Sequence, residues 1–133
     1  MKVFSFRLTP GTDLKHELEA FAATEKLDAA FVITCVGSLT VAAIRFAGKS
    51  ETSSVAGPLE ITSLTGTFSV QGSHFHITVT DETGKATGGH LKEGSIVRTT
   101  AELVIGIQED VIYTREKDPG TGYMELKIEK NDK

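Results

Sequence analysis

The sequence has a single cysteine, Cys35. That excludes an intramolecular disulfide and any zinc site built on cysteines. Cys35 stands in the apolar run Phe31-Val32-Ile33-Thr34-Cys35-Val36. Such a setting predicts a buried, inert thiol, because a reactive one needs an exposed, electropositive neighbourhood. No stretch reaches the roughly 18 apolar residues of a membrane span. The N-terminal segment from Met1 breaks its apolar run at Arg7, short of the apolar core of about 7–15 residues in a secretory signal. The expected location is therefore cytoplasmic. An excess of positive charge is also missing: 14 Lys and Arg stand against 18 Asp and Glu, a net charge of −4. Nucleic-acid binding draws much of its affinity from basic surface. Composition thus argues against a strong grip on a polyanion, and only a local patch could supply one. Neither G-x-x-x-x-G-K-[ST] nor G-x-G-x-x-G occurs, so no phosphate loop is present. Gly37-Ser38 lies outside any G-x-S-x-G elbow. There is no internal repeat, low-complexity tract or clear linker.

What is there fits one folded unit. The 133 residues suit a single domain over 1–133, and 39% hydrophobic with 24% charged residues lies in the ordinary globular range. Val3 to Leu8 reads as a strand. After the turn at Thr9-Pro10-Gly11, Thr12 or Asp13 can cap a helix. Leu14, Leu18, Phe21 and Ala22 then form one apolar stripe, and the helix should end near Lys26. Beyond it the pattern turns to β. Ala29 to Val36 is nearly all apolar, which predicts a strand covered on both faces, either at the centre of a sheet or in a subunit interface. Gly37-Ser38 should bend or bulge it before Leu39 to Phe46. Ala47 to Pro58 is small and polar, an expected loop. From Leu59 to Val70 the apolar phase slips from the parity of Leu59 and Ile61 to that of Leu64, Phe68 and Val70, as at a β-bulge. Val97 to Ile107 alternates through a long strand. Met124, Leu126 and Ile128 mark a last one before a frayed tail, Lys130 to Lys133. The sum is an α+β domain with one main helix and a mostly antiparallel sheet of about six to eight strands.

The cleanest alternation carries the most chemistry. Phe75, Ile77 and Val79 point one way along a strand, and His74, His76, Thr78 and Thr80 point the other. Period two puts both imidazoles on one face. A turn at Glu82-Thr83-Gly84 would return the chain and set His90 beside them, with Gly88-Gly89 clearing side chains from its approach. Three neutral imidazoles are a first shell for zinc and leave a fourth position open. Imidazole suits copper, nickel and iron as well. The spacing equally fits three polar strand residues hydrogen-bonded to neighbours, so both readings stand. The remaining histidine, His16, lies off the helix's apolar stripe and should be solvated. Glu60 and Glu102 sit in strands among apolar neighbours. Either could orient a metal-bound imidazole, and either could instead pair with Arg7, Arg45 or Arg98.

Several segments occur in the order of a known family: Pro10-Gly11-Thr12-Asp13-Leu14, Val36-Gly37-Ser38-Leu39, Gly57-Pro58-Leu59-Glu60-Ile61, His74-Phe75-His76, Gly88-Gly89-His90-Leu91 and Thr100-Ala101-Glu102. The chain resembles the PPC domain (plants and prokaryotes conserved, DUF296) from about Lys2 to Ile128. G-G-H-L after H-x-H is the most specific part. The resemblance implies a compact α+β domain on an antiparallel sheet, assembled as a homotrimer. It also implies a metal site, commonly zinc, at His74, His76 and His90. Stand-alone prokaryotic members carry the description of predicted DNA-binding proteins with a PD1-like motif. In plant members an AT-hook, R-G-R-P, supplies the DNA contact; this sequence has no such segment. The expectation is a metal-binding, homotrimeric binding or regulatory module, with DNA as a partner the charge does little to favour. The alternatives are a zinc-dependent hydrolase or lyase, and a small-molecule sensor whose ligand completes the metal shell.

Overall fold

Asp13 fixes the start of the one helix among the described residues, 1–132 of the computed structural model. Its Oδ1 accepts from the His16 backbone N–H at 3.1 Å, and its Oδ2 accepts from the Gly94 N–H at 2.7 Å. One carboxylate thus caps α1 (Leu14–Glu25) and ties it to the turn beneath the sheet. Lys26 takes the left-handed conformation at the other end, and its N–H closes the last turn. Leu14, Leu18 and Ala22 are buried, while Phe21 packs on Phe4 and Phe6 with ring centroids 5.2 and 4.7 Å away. The expected stripe is the face that meets the sheet.

The strands are β1 (Lys2–Leu8), β2 (Ala30–Arg45), β3 (Ser53–Ser69), β4 (Gly72–Thr80), β5 (Ala86–Leu91), β6 (Ile96–Ile107), β7 (Val111–Lys117) and β8 (Met124–Lys130). All pair antiparallel. Six form one sheet in the order β1-β6-β2-β3-β4-β5, and β7 and β8 form a separate hairpin. The α+β expectation holds at the upper end of its strand range. The phase slip in β3 is a register shift between Ile61 and Ser63 opposite β4. Leu59, Ile61, Leu64 and Phe68 are consequently all buried despite their mixed parity.

The irregularity expected at Gly37-Ser38 is a register shift against β6 between Gly37 and Leu39, within the single strand β2. Other details differ from the sequence reading. The expected loop 47–58 is shorter, because β3 begins at Ser53 and pairs with Ile44. β7 was not foreseen. The tail is held through Asn131, whose N–H donates to the Asp110 carbonyl at 2.9 Å, while Lys133 lies outside the described residues. The apolar stretch of β2 is central by position, flanked by β6 and β3, yet only one of its faces is covered within the chain. Ile33 and Val36 are 47% and 56% exposed. Phe31 lies over Gly106 on that outer face, where an added Cβ on Gly106 would meet the ring at 2.5 Å.

β2 changes partner along its length. Val41 pairs with Ile96 of β6, but Ile44 and Arg45 pair with Leu91 and His90 of β5. The sheet therefore curls until β2, β3, β4 and β5 close on themselves. Ser95 sits at the changeover and is fully buried. Its Oγ accepts from the Ala43 N–H at 3.0 Å and lies 3.1 Å from the Lys92 carbonyl, to which it can donate. A Ser95→Ala chain should lose about 1–3 kcal/mol in urea unfolding, since it removes the buried hydroxyl that accepts from the Ala43 N–H. A loss under ~0.5 kcal/mol would show that the changeover does not depend on this hydroxyl.

Candidate metal centre

β4 and β5 bring the three histidines together as the spacing predicts. The connecting turn is organised by Asp81, whose Oδ1 accepts from the Thr83 N–H (2.8 Å), the Thr83 hydroxyl (2.6 Å) and the Lys85 N–H (3.0 Å). Those bonds, Thr83's hydroxyl first, hold the Asp81 carboxyl below its ordinary pKa. Gly84 takes a positive φ of 81° there. The resulting register sets His76 directly opposite His90, and His90 in turn opposite Arg45 of β2. His74 lies two residues along β4 on the same face. Gly89 lets β5 pack this closely between its neighbours: an added Cβ would stand 2.6 Å from the Arg45 carbonyl oxygen and 2.8 Å from Ile44.

The ligating nitrogens of His74, His76 and His90 all lie within 4.8 Å of one another. Ring centroids are 4.9 Å apart for His74 and His76, 4.5 Å for His76 and His90, and 5.2 Å for the stacked pair His74 and His90. His74 and His76 are exposed and His90 is half-buried. Among the described residues no imidazole of the three hydrogen-bonds to another protein group, so their nitrogens are not committed elsewhere. Desolvation by the surrounding strands, then the positive potential of His76, Arg115 and Arg45, holds the His74 pKa below its usual value, while Glu125 works the other way. Desolvation and then Arg45 act likewise on His90. Neutral imidazole is the ligating form. Zinc–nitrogen bonds of ~2.0–2.1 Å put tetrahedral donors roughly 3.4 Å apart, so modest side-chain rotations would close the three on one ion. The donor set fits a transition metal with room for a further ligand.

Other sequence candidates fall elsewhere. Glu60 is exposed opposite Thr80, four residues along β4 from His76. Glu102 is exposed on β6 opposite Arg7. Among the described residues neither bonds to a histidine, and neither forms an ion pair with Arg7, Arg45 or Arg98. Arg7 instead donates to Thr100 Oγ1 and the Thr99 carbonyl. Burial pushes the Cys35 thiol up to about 12, which makes it the inert group its sequence setting implied. His16 is exposed on α1.

The sequence reading missed the other wall of the site. A cleft of about 830 Å³ opens beside His74 and His90, lined also by Arg45, Lys49, Arg115 and Glu125. Arg115 comes from β7, and its stem crosses Gly72 at the start of β4. The run Val111-Ile112-Tyr113-Thr114, rich in β-branched and aromatic residues, was the available signal for that strand.

Comparison with known proteins agrees with this architecture. The chain is 44% identical over 130 residues to the bifunctional protein GlmU of Synechococcus sp. strain JA-3-3Ab; the match covers 98% of this chain and 21% of that protein. The chain thus spans about a fifth of the length of the curated relatives it matches. A hypothetical protein from Salmonella enterica superposes with a TM-score of 0.96 at 40% identity, covering 98% of this chain and 94% of that one. The metal-containing protein AF0104 from Archaeoglobus fulgidus gives a TM-score of 0.81 at 26% identity, covering 95% and 93%. The pattern of the Plants and Prokaryotes Conserved (PCC) domain matches residues 1–108, from β1 through β6, and the chain belongs to that family.

Proposed function

We propose that this chain is a metal-binding PCC-domain protein that holds zinc through His74, His76 and His90 and works as a homotrimeric binding or regulatory module. The observation that carries the reading is the convergence of three uncommitted imidazoles within 4.8 Å on one face of β4 and β5. The metal-containing description of AF0104 supports it. A domain forming about a fifth of a longer bifunctional protein suits a module more than a self-contained catalyst. For the enzyme alternative, a zinc-dependent hydrolase or lyase, Glu60 and Glu102 are too far along their strands to serve as acid or base, and the cleft's carboxylate is Glu125. The sensor alternative draws support from the cleft itself.

The trimer reading rests on the uncovered face of β2. Phe31, Ile33 and Val36 there, with Val3 of β1, form apolar surface across the β1-β6-β2 side of the six-stranded sheet. An apolar sheet face that is open to water in one chain is the expected contact of another. DNA is a partner only through local charge. A trimer carries three times the chain's −4, and long-range repulsion opposes a duplex.

Elemental analysis should find about one zinc per chain in untagged protein and none in a His74→Ala/His76→Ala variant that keeps its circular-dichroism spectrum. Because protons compete for the imidazoles, zinc should be retained at pH 7. It should be released as pH falls below the ordinary histidine value of about 6.5, since the lowered pKa values of His74 and His90 keep those two ligands neutral down to there. No zinc in the wild type after incubation with the ion would leave the histidines without this role.

Light scattering should give three chain masses for the wild type. Val36→Asp, which puts a charge in the exposed apolar face, should lower that to one. An unchanged mass would place the contact elsewhere.

A labelled duplex oligonucleotide should be retained only at low salt and released by about 0.2 M, where a few phosphate contacts no longer hold. No retention even at low salt removes DNA from the reading.

A further inference from the structure

We propose that the cleft beside the three histidines binds a small oxyanion group, phosphate or carboxylate, gripped by Arg45 and Arg115 and placed to reach the bound metal; this rests on the metal reading above. The first argument is one of charge. Three cations, Arg45, Lys49 and Arg115, line the cleft against one carboxylate, Glu125, in a chain whose net charge is −4. Local charge is inverted relative to the whole. Neither guanidinium forms an ion pair among the described residues.

The second argument concerns cost. Two arginines beside a divalent-cation site repel the ion they adjoin, and the unfavourable field is strongest where solvent is partly excluded. An anion between them and the metal converts that repulsion into attraction on both sides. Without one, arginine is a poor choice of neighbour for a metal site.

Geometry leaves the donors available. Arg45 Nη1 donates to the Lys49 carbonyl at 2.8 Å, and Arg115 Nη2 approaches Thr67 Oγ1 only at 3.4 Å. A guanidinium carries five N–H donors in a planar fork that matches carboxylate and phosphate oxygens. Most of these donors remain unused. The two arginines come from separate elements, β2 and β7, so a ligand between them is approached from both walls. The volume, about 830 Å³, falls within the range of small-ligand sites and exceeds what a lone phosphate fills. The cleft thus leaves room beside the oxyanion for the rest of a larger molecule. Tyr123 and Met124, 73% and 58% exposed at the cleft's rim, offer apolar surface to its remainder.

The test uses cobalt(II) in place of zinc, because its visible absorption reports a change of ligand. Cobalt-loaded chain is titrated with inorganic phosphate and, separately, with acetate, followed by absorption and by calorimetry. The expected result is a saturable spectral change with at least one anion. Binding should be at least tenfold weaker in Arg45→Gln/Arg115→Gln, which keeps one cobalt per chain. Response to phosphate alone assigns a phosphoryl ligand, and to acetate alone a carboxylate. If the double variant melts early because the Lys49 contact is lost, Arg115→Gln alone carries the test and should weaken binding severalfold. Equal anion affinity in wild type and a folded variant overturns the proposal, as does a loaded wild type silent to both anions; in those cases the metal reading survives. Failure to bind cobalt or zinc at all sinks the metal reading and this one with it.

Discussion

The cationic flank of the histidine cluster depends on β2 leaving β6 and pairing with β5. Up to Val41 the strand runs beside Ile96, and from Ile44 it runs beside Leu91. A flat sheet would leave β5 at an open edge, far from β2. Curling brings Arg45, His90 and His76 into one cross-strand row. The means are local. Ser95 Oγ accepts from the Ala43 N–H at the changeover, and Gly89 admits two backbones closer than any side chain would allow. The buried face of the curl is filled by Leu39, Ile44, Ile77, Val79 and Leu91. Closure of the strands and burial of the core are therefore one event, and it sets Arg45 beside the imidazoles on the opposite face.

The same curl explains what could be read from the sequence. His74 and His76 share a face by strand periodicity alone, and the returning turn followed from Glu82-Thr83-Gly84. Those are short-range facts. The bulge in β3 showed itself because it shifts apolar residues from one parity to the other. The openness of β2's outer face did not, since an apolar run looks alike whether its second face meets a helix, a partner or water. Arg45 was visible as a cation but not as His90's neighbour, because that pairing depends on a changeover that no periodicity encodes. Arg115 needed β7, whose apolar residues Val111 and Ile112 are only half-buried and so give a weak pattern.

Net charge was informative about the whole and silent about the site. A value of −4 bears on long-range attraction to a duplex. It says nothing about a cleft where strands distant in sequence deliver Arg45 and Arg115 to one place. The distinction is one of range: charges separated by more than a screening length of about 8 Å at physiological salt act nearly independently. Short-range recognition is thus free to oppose the sign of the molecule.

The second wall of the cleft has a different mechanical basis from the first. Among the described residues β7 and β8 pair only with each other, so their placement rests on side-chain and loop contacts rather than a shared ladder. Tyr113 supplies several of these. It is buried, its N–H donates to the Asp28 carbonyl at 2.8 Å, and its carbonyl accepts from the Ser69 hydroxyl at 2.8 Å. Its own hydroxyl lies 3.2 Å from Gln108 Oε1. Arg115 follows two residues later on the same side of the strand, with its stem laid across Gly72. The guanidinium is therefore delivered by a pinned strand and a supported stem, not by a long side chain searching from solvent. The hairpin also lies beyond residues 1–108, where the family pattern matches. A change in its tip can alter what the cleft accepts while leaving the six-stranded sheet, its core and the three histidines untouched.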